Sequence, residues 1–154
     1  MKQVLAFFIV LLALAACSDK QQAEKSGTPF EQYVDSITKV YPNFKGNIAV
    51  QEKICEDFGR HLNALPGILE GAQFDIVNMG EVAGKTMVMF TCKTGDVTLW
   101  CEDFGTEKAA QLDKSKSYKV TGGTLERYVP THGIAGDLLK LGEVYVKDLT
   151  VEEI

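Results

Sequence analysis

At 154 residues the chain can form one domain, or a domain with an appendage, with a sizeable core. Its formal net charge is −5 and its 16 Lys and Arg are scattered, which argues against nucleic acid, whose recognition needs a basic footprint. An acidic surface also avoids anionic lipid, and no internal repeat or low-complexity tract is present.

The first stretch, MKQVLAFFIVLLALAACSDK, has one positive residue, Lys2, and then an apolar run from Val4 to Ala16. That is the layout of a signal peptide, too short and too poorly flanked for a stable membrane-spanning helix. Leu14-Ala15-Ala16-Cys17 resembles the lipobox of bacterial lipoproteins. The resemblance implies cleavage before Cys17, removal of residues 1–16 as a signal peptide, and transfer of diacylglycerol to the Cys17 thiol. Several acyl chains, at about 0.8 kcal/mol per buried methylene, then anchor the chain without a membrane helix. Ser18, in place of Asp, suggests by the same analogy the outer membrane, with the periplasmic or surface facing left open. Residues 17–27 (CSDKQQAEKSG) hold little that can be buried and read as a flexible tether.

The segment 28–65 reads as two helices. In TPFEQYVDSITKVYP, Thr28 is placed to cap, Pro29 to start the first turn and Glu31 to complete a capping box. Phe30, Tyr33, Val34, Ile37 and Tyr41 share one face, and Pro42 stops the helix. After Asn47, a second good cap, Val50, Ile54, Phe58 and Leu62 form a stripe, with Cys55 and His61 beside it, until Pro66 and Gly67 end the helix. Two such stripes must cover something.

Residues 66–154 read as strands. FDIVNMGEV, KTMVMFTC and VTLWCE are the first three. TEKAAQLDK is a short helix capped by Thr106, and YKVTGGTLERYV and LLKLGEVYVKDLTVEEI are the fourth and fifth strands. The alternation slips in the last two: Leu139 and Leu141 share one parity, Val144 and Val146 the other after Gly142, and Leu149 and Val151 switch again. Such slips mark β-bulges, which let a strand bend around a small closed sheet, and Gly122-Gly123 can serve the same bend. This order resembles the OB-fold, a five-stranded Greek-key barrel, and is similar to the tRNA-anticodon-binding-like OB domains of bacterial lipoproteins through YKVTGGTLERY and LGEVYVKDLTVEE. The fold class expected is α+β, mainly β: an OB-fold barrel preceded by two N-terminal helices.

Of the four cysteines, Cys92 and Cys101 flank a turn expected within KTGD, around Gly95. One face of that hairpin then carries Val88, Phe90, Cys92, Val97, Leu99 and Cys101, the natural interior. A four-residue loop pairs Cys101 with Val88 and a two-residue loop pairs it with Phe90, so neither sets the cysteines opposite one another. Metal binding lacks a close Cys-x-x-Cys, and the only histidines, His61 and His132, are remote in sequence. Cys55 could still pair with either strand cysteine in an exported chain. Buried thiols are the plainer alternative.

The opposite face carries Met87, Met89, Thr91, Thr98 and Trp100. The OB resemblance implies ligand binding there and in the loop between strands four and five, YVPTHGIAGD with His132. The same residues could instead be where the two helices pack. The pairs Glu102-Asp103, Glu56-Asp57 and Glu152-Glu153 are sequence neighbours that point apart, and no nucleophile elbow or phosphate loop is present. No catalytic group, metal ligand or cofactor is therefore assigned. The expected role is noncatalytic: an envelope lipoprotein binding a partner protein or small polar ligand, with Trp100 as anchor. The alternative is an exported thiol-redox or metal-handling protein using Cys55, Cys92 and Cys101.

Overall fold

The computed structural model describes residues 27–43, 45–64, 67–92, 97–131 and 140–154. Residues 1–26, with the expected signal peptide, Cys17 and most of the tether, lie outside them, as do the KTGD turn and His132.

Helix α1, Pro29–Val40, begins as its sequence dictates. The Thr28 hydroxyl accepts from the Glu31 amide, and the Glu31 carboxylate accepts from the Thr28 amide at 2.9 Å, closing the capping box. Phe30, Val34 and Ile37 are buried, and a 3₁₀ turn, Tyr41–Asn43, follows. Helix α2, Ile48–Ala64, is capped by Asn47, whose Oδ1 accepts from the Val50 amide at 3.3 Å. Its buried face is rotated from the expected stripe. Gln51, Cys55, Phe58 and Leu62 are buried, while Val50 and Ile54 are only half-buried. The cause is Tyr41, whose hydroxyl accepts a bond from Gln51 Nε2 at 3.2 Å and so satisfies the one polar side chain buried among them.

Five strands follow: β1 Gln73–Val82, β2 Lys85–Cys92, β3 Val97–Cys101, β4 Ser117–Pro130 and β5 Gly142–Glu153. Ala83 and Gly84, both at positive φ, turn β1 into β2 in the left-handed geometry of a tight hairpin. A one-turn helix α3, Thr106–Ala109, stands between β3 and β4. Thr106 does not cap it. Gly105 holds the cap position at φ 91°, and the Thr106 hydroxyl is instead 2.7 Å from that of Thr86 on β2.

The strands close into a ring in the order β1-β2-β3-β5-β4, with β4 returning to β1 through Gln73–Asp75 and Ser117–Lys119. All pairings are antiparallel except β3 with β5. The expected slip between Val146 and Leu149 is a register shift opposite Gly122-Gly123, where Asp148 takes a positive φ. A further shift falls between Leu125 and Arg127, and Leu139 of the other expected slip lies outside the described residues. Inside the ring sit Val88, Phe90, Leu99, Val144 and both strand cysteines. The structure is thus mixed α+β and mainly strand.

The two helices pack against the inner surface, where it opens at one end. Phe30 lies 5.7 Å from Phe74 of β1, and Phe58 meets the edge of Tyr128 of β4 at 5.4 Å between ring centres. Tyr128 shares the parity of its buried β5 partner Val144, so the helices plug the interior rather than cover its outside.

Candidate functional site

Strands β2 and β3 pair Val88 with Cys101, Met89 with Trp100, Phe90 with Leu99 and Thr91 with Thr98. This is the four-residue register, and it settles the faces. Val88, Phe90, Cys92, Val97, Leu99 and Cys101 are all buried inward, while Met87, Met89, Thr91, Thr98 and Trp100 share the outer face and are half-buried. The helices do not explain that half-burial, because the rings they bury meet Phe74 and Tyr128 on the other side of the sheet. Neighbouring strands do.

Register carries the row onward. Trp100 pairs with Tyr145 of β5, and Tyr145 pairs with Arg127 of β4. Met89, Trp100, Tyr145 and Arg127 therefore lie side by side across four strands. The rings of Trp100 and Tyr145 are 6.0 Å apart and within 8° of parallel, an offset stack. On the far side of Tyr145 the Arg127 guanidinium carbon sits 3.5 Å from the ring centre. The Arg127 Nη2 also donates to Glu102 Oε1 at 2.9 Å, and the Tyr145 hydroxyl donates to Glu143 Oε2 at 2.8 Å. Burial first, and then the Glu143 carboxylate, push the Tyr145 hydroxyl above its ordinary pKa, so it stays a neutral donor at physiological pH. Trp100 Nε1 is buried with no partner among the described residues.

Tyr145, Arg127, Glu102 and Glu143 are absent from the residues expected in sequence. The signal existed: Glu143 and Tyr145 alternate with buried Val144 and Val146, so their parity already placed them outside. What the sequence withholds is that β5 lies between β3 and β4. His132, the remaining expected residue, lies outside the described residues.

The cysteines fall on the inner side. Cys55, Cys92 and Cys101 are buried, and no disulfide joins them. Cys55 Sγ lies 3.7 Å from the Thr131 carbonyl and 3.8 Å from that of Lys140, so its S–H has acceptors. Burial pushes the Cys55 and Cys101 thiols above the ordinary range, away from the reactive thiolate. Among the described residues no group of three His, Cys, Asp or Glu side chains could hold a metal. The neighbouring carboxylates diverge onto separate partners: Glu102 to Arg127, Asp103 to Lys85, Glu152 to Lys119 and Glu153 to Lys116.

No family model matches this chain. No curated protein and no solved structure matches it either. Among the described residues no helix is long and apolar enough to cross a membrane.

Proposed function

We propose that this chain is a lipid-anchored, noncatalytic binding protein of the bacterial cell envelope, built on an OB-fold barrel and engaging a partner protein through its outer face. The OB reading is supported by the strand order, the parallel β3–β5 pair and the lone helix between β3 and β4. The observation that carries the binding reading is the row Met89, Trp100, Tyr145, Arg127, half-buried or exposed on the surface while the helices are spent at the interior. Trp, Tyr, Met and Arg are the residues enriched where proteins meet, and Trp, Tyr and Arg dominate binding hot spots. A partner protein fits better than a small polar ligand because the row is a line of stacked side chains across four strands rather than a concavity. The lipid anchor on Cys17 supplies the address, and nucleic acid is opposed by the net charge of −5.

A photo-crosslinking side chain placed at Met87, beside the row, tests this in cells that express the full chain. A discrete protein adduct that is lost in Trp100→Ala and in Arg127→Ala, both with unchanged fold, is the expected result. An adduct indifferent to both substitutions, or none, overturns the reading. Mass spectrometry of the mature protein tests the anchor: residues 1–16 removed and a diacylglyceryl group on Cys17.

The thiol alternative is disfavoured by the burial of all three cysteines, with no disulfide between them, and by the raised pKa of Cys55 and Cys101. A thiol count on the unfolded mature protein should give the same value with and without reductant for Cys55, Cys92 and Cys101.

A further inference from the structure

A second feature lies between helix α2 and the bend of β4. The end of α2, the turn at residues 67–70 and the doubled glycine of β4 enclose a cleft of about 420 Å³. That falls in the range of small-molecule sites, roughly 300–1,000 Å³. Its floor is apolar and closed: Leu62, Leu69, Val120 and Val146 are each at most 8% exposed. The gap exists because β4 carries no side chains where it bends. A Cβ on Gly123, held at φ 144°, would come within 2.6 Å of Val146 Cγ1, and one on Gly122 within 2.8 Å of Thr150 Oγ1. Neither position accepts a side chain that could fill the space.

The rim is polar, formed by Asn63, Glu70 and Thr124, and its one charged side chain among the described residues is a carboxylate. Glu70 is exposed, and its carboxylate has no ion pair or hydrogen bond among the described residues. Asn63 spends its Nδ2 on the Gly59 carbonyl at 2.8 Å, which leaves Oδ1 to accept. Three amides at the end of the turn are spent within the fold. Glu70 N–H donates to Gly67 O, Gly71 N–H to Val120 O and Ala72 N–H to Leu69 O. Among the described residues no Lys or Arg lines the cleft. An apolar floor beneath one unpaired carboxylate and an amide oxygen suits an aliphatic body with a cationic N–H head, and repels the carboxylate of a fatty acid.

We propose that this cleft is a binding site for an amphiphilic cation, its aliphatic chain against Leu62, Leu69 and Val146 and its ammonium group on Glu70 and Asn63. The site is separate from the Trp100 row, which faces outward from the opposite side of the sheet, so the failure of either proposal leaves the other standing.

Calorimetric titration of the mature protein with dodecylammonium, below its micelle concentration, is the test, with dodecanoate as the like-shaped anion. One saturable site for dodecylammonium is expected, with dodecanoate at least tenfold weaker. Glu70→Gln should weaken dodecylammonium about tenfold, the effect of one charge-assisted contact. Thr124→Trp, which sets a ring over the rim, and Asn63→Lys, which adds a like charge on an exposed helix position, should each abolish binding without lowering the Tm. Equal binding of the anion, indifference to Glu70→Gln, binding that survives both blocking variants, or no saturable binding at all would overturn the proposal.

Discussion

The inner plug and the outer row use the same kinds of side chain to opposite ends. At the plug, Phe30, Phe58 and Phe74 are at most 1% exposed; Phe30 meets Phe58 and Phe74 at tilted angles, and Phe30 and Phe58 each touch rings from two elements. The outer row is one layer deep. Its contacts run along a line, Trp100 to Tyr145 to Arg127, and its charged end is solvated. A three-dimensional cluster cannot lose a ring without leaving a cavity, whereas a row can lose one to water. Aromatic content alone therefore says little about role; the number of directions from which a ring is held says more.

Mutations can break or sharpen that contrast. Phe58→Ala should cost about 3–5 kcal/mol in a denaturant titration, since a fully buried ring leaves both lost transfer energy and a void. A cost below about 1 kcal/mol would mean that the helices are not part of the cooperative unit. Gly59→Ala sets two effects against each other. Helix propensity gains up to about 1 kcal/mol, but the new methyl would sit 2.7 Å from Tyr128 Cδ1 and overpacking costs about 1–3 kcal/mol. Tyr128 is pinned by Phe58 and by its hydroxyl donating to the Leu141 carbonyl, so a lowered Tm is expected. A raised Tm would show that the plug can yield.

On the outer row the effects are smaller. Trp100→Phe removes the unpartnered Nε1–H, whose burial costs about 1–3 kcal/mol, while keeping an aromatic face on Tyr145. Stability should therefore stay level or rise, the reverse of any ring reduction at the plug. Arg127→Lys replaces a flat cation by a point charge and should lower the Tm slightly, read by thermal melts at low and high salt. The slightest effect is at Asp113. The amide and hydroxyl of Ser115, each 2.8 Å away, hold its carboxyl below the usual range. A lowered folded pKa gives stabilisation that is present above the unfolded value, about 3.9, and lost as the pH falls through the folded one. Asp113→Asn should lower the Tm slightly at neutral pH and flatten that part of the acid limb, the difference from the parent vanishing at low pH.

Much of this was legible. Strand β2 lies where the alternation places it, the capping box of α1 forms, and the inward parity of Cys92 and Cys101 follows from period two alone. Two things were not. The buried face of α2 turns toward Gln51 because a tyrosine from the preceding turn satisfies the amide, a contact no hydrophobic pattern records. The outer row was half visible: Met89 and Trp100 could be paired from their hairpin, but Tyr145 and Arg127 join them only through β5 inserting between β3 and β4. Local periodicity gives faces, and adjacency between distant strands must come from the whole chain.

The way the ring closes has a temporal consequence. Helices α1 and α2 come first along the chain, yet the surface they bury belongs to β1 and β4, and Cys55 of α2 reaches the carbonyls of Thr131 and Lys140. The curved strand that backs this surface is β5, whose pairing with β4 extends from Gly142 to Glu153. The early helices therefore reach their full packing only after β4 and β5 have been made, and contacts so distant in sequence are slow to form.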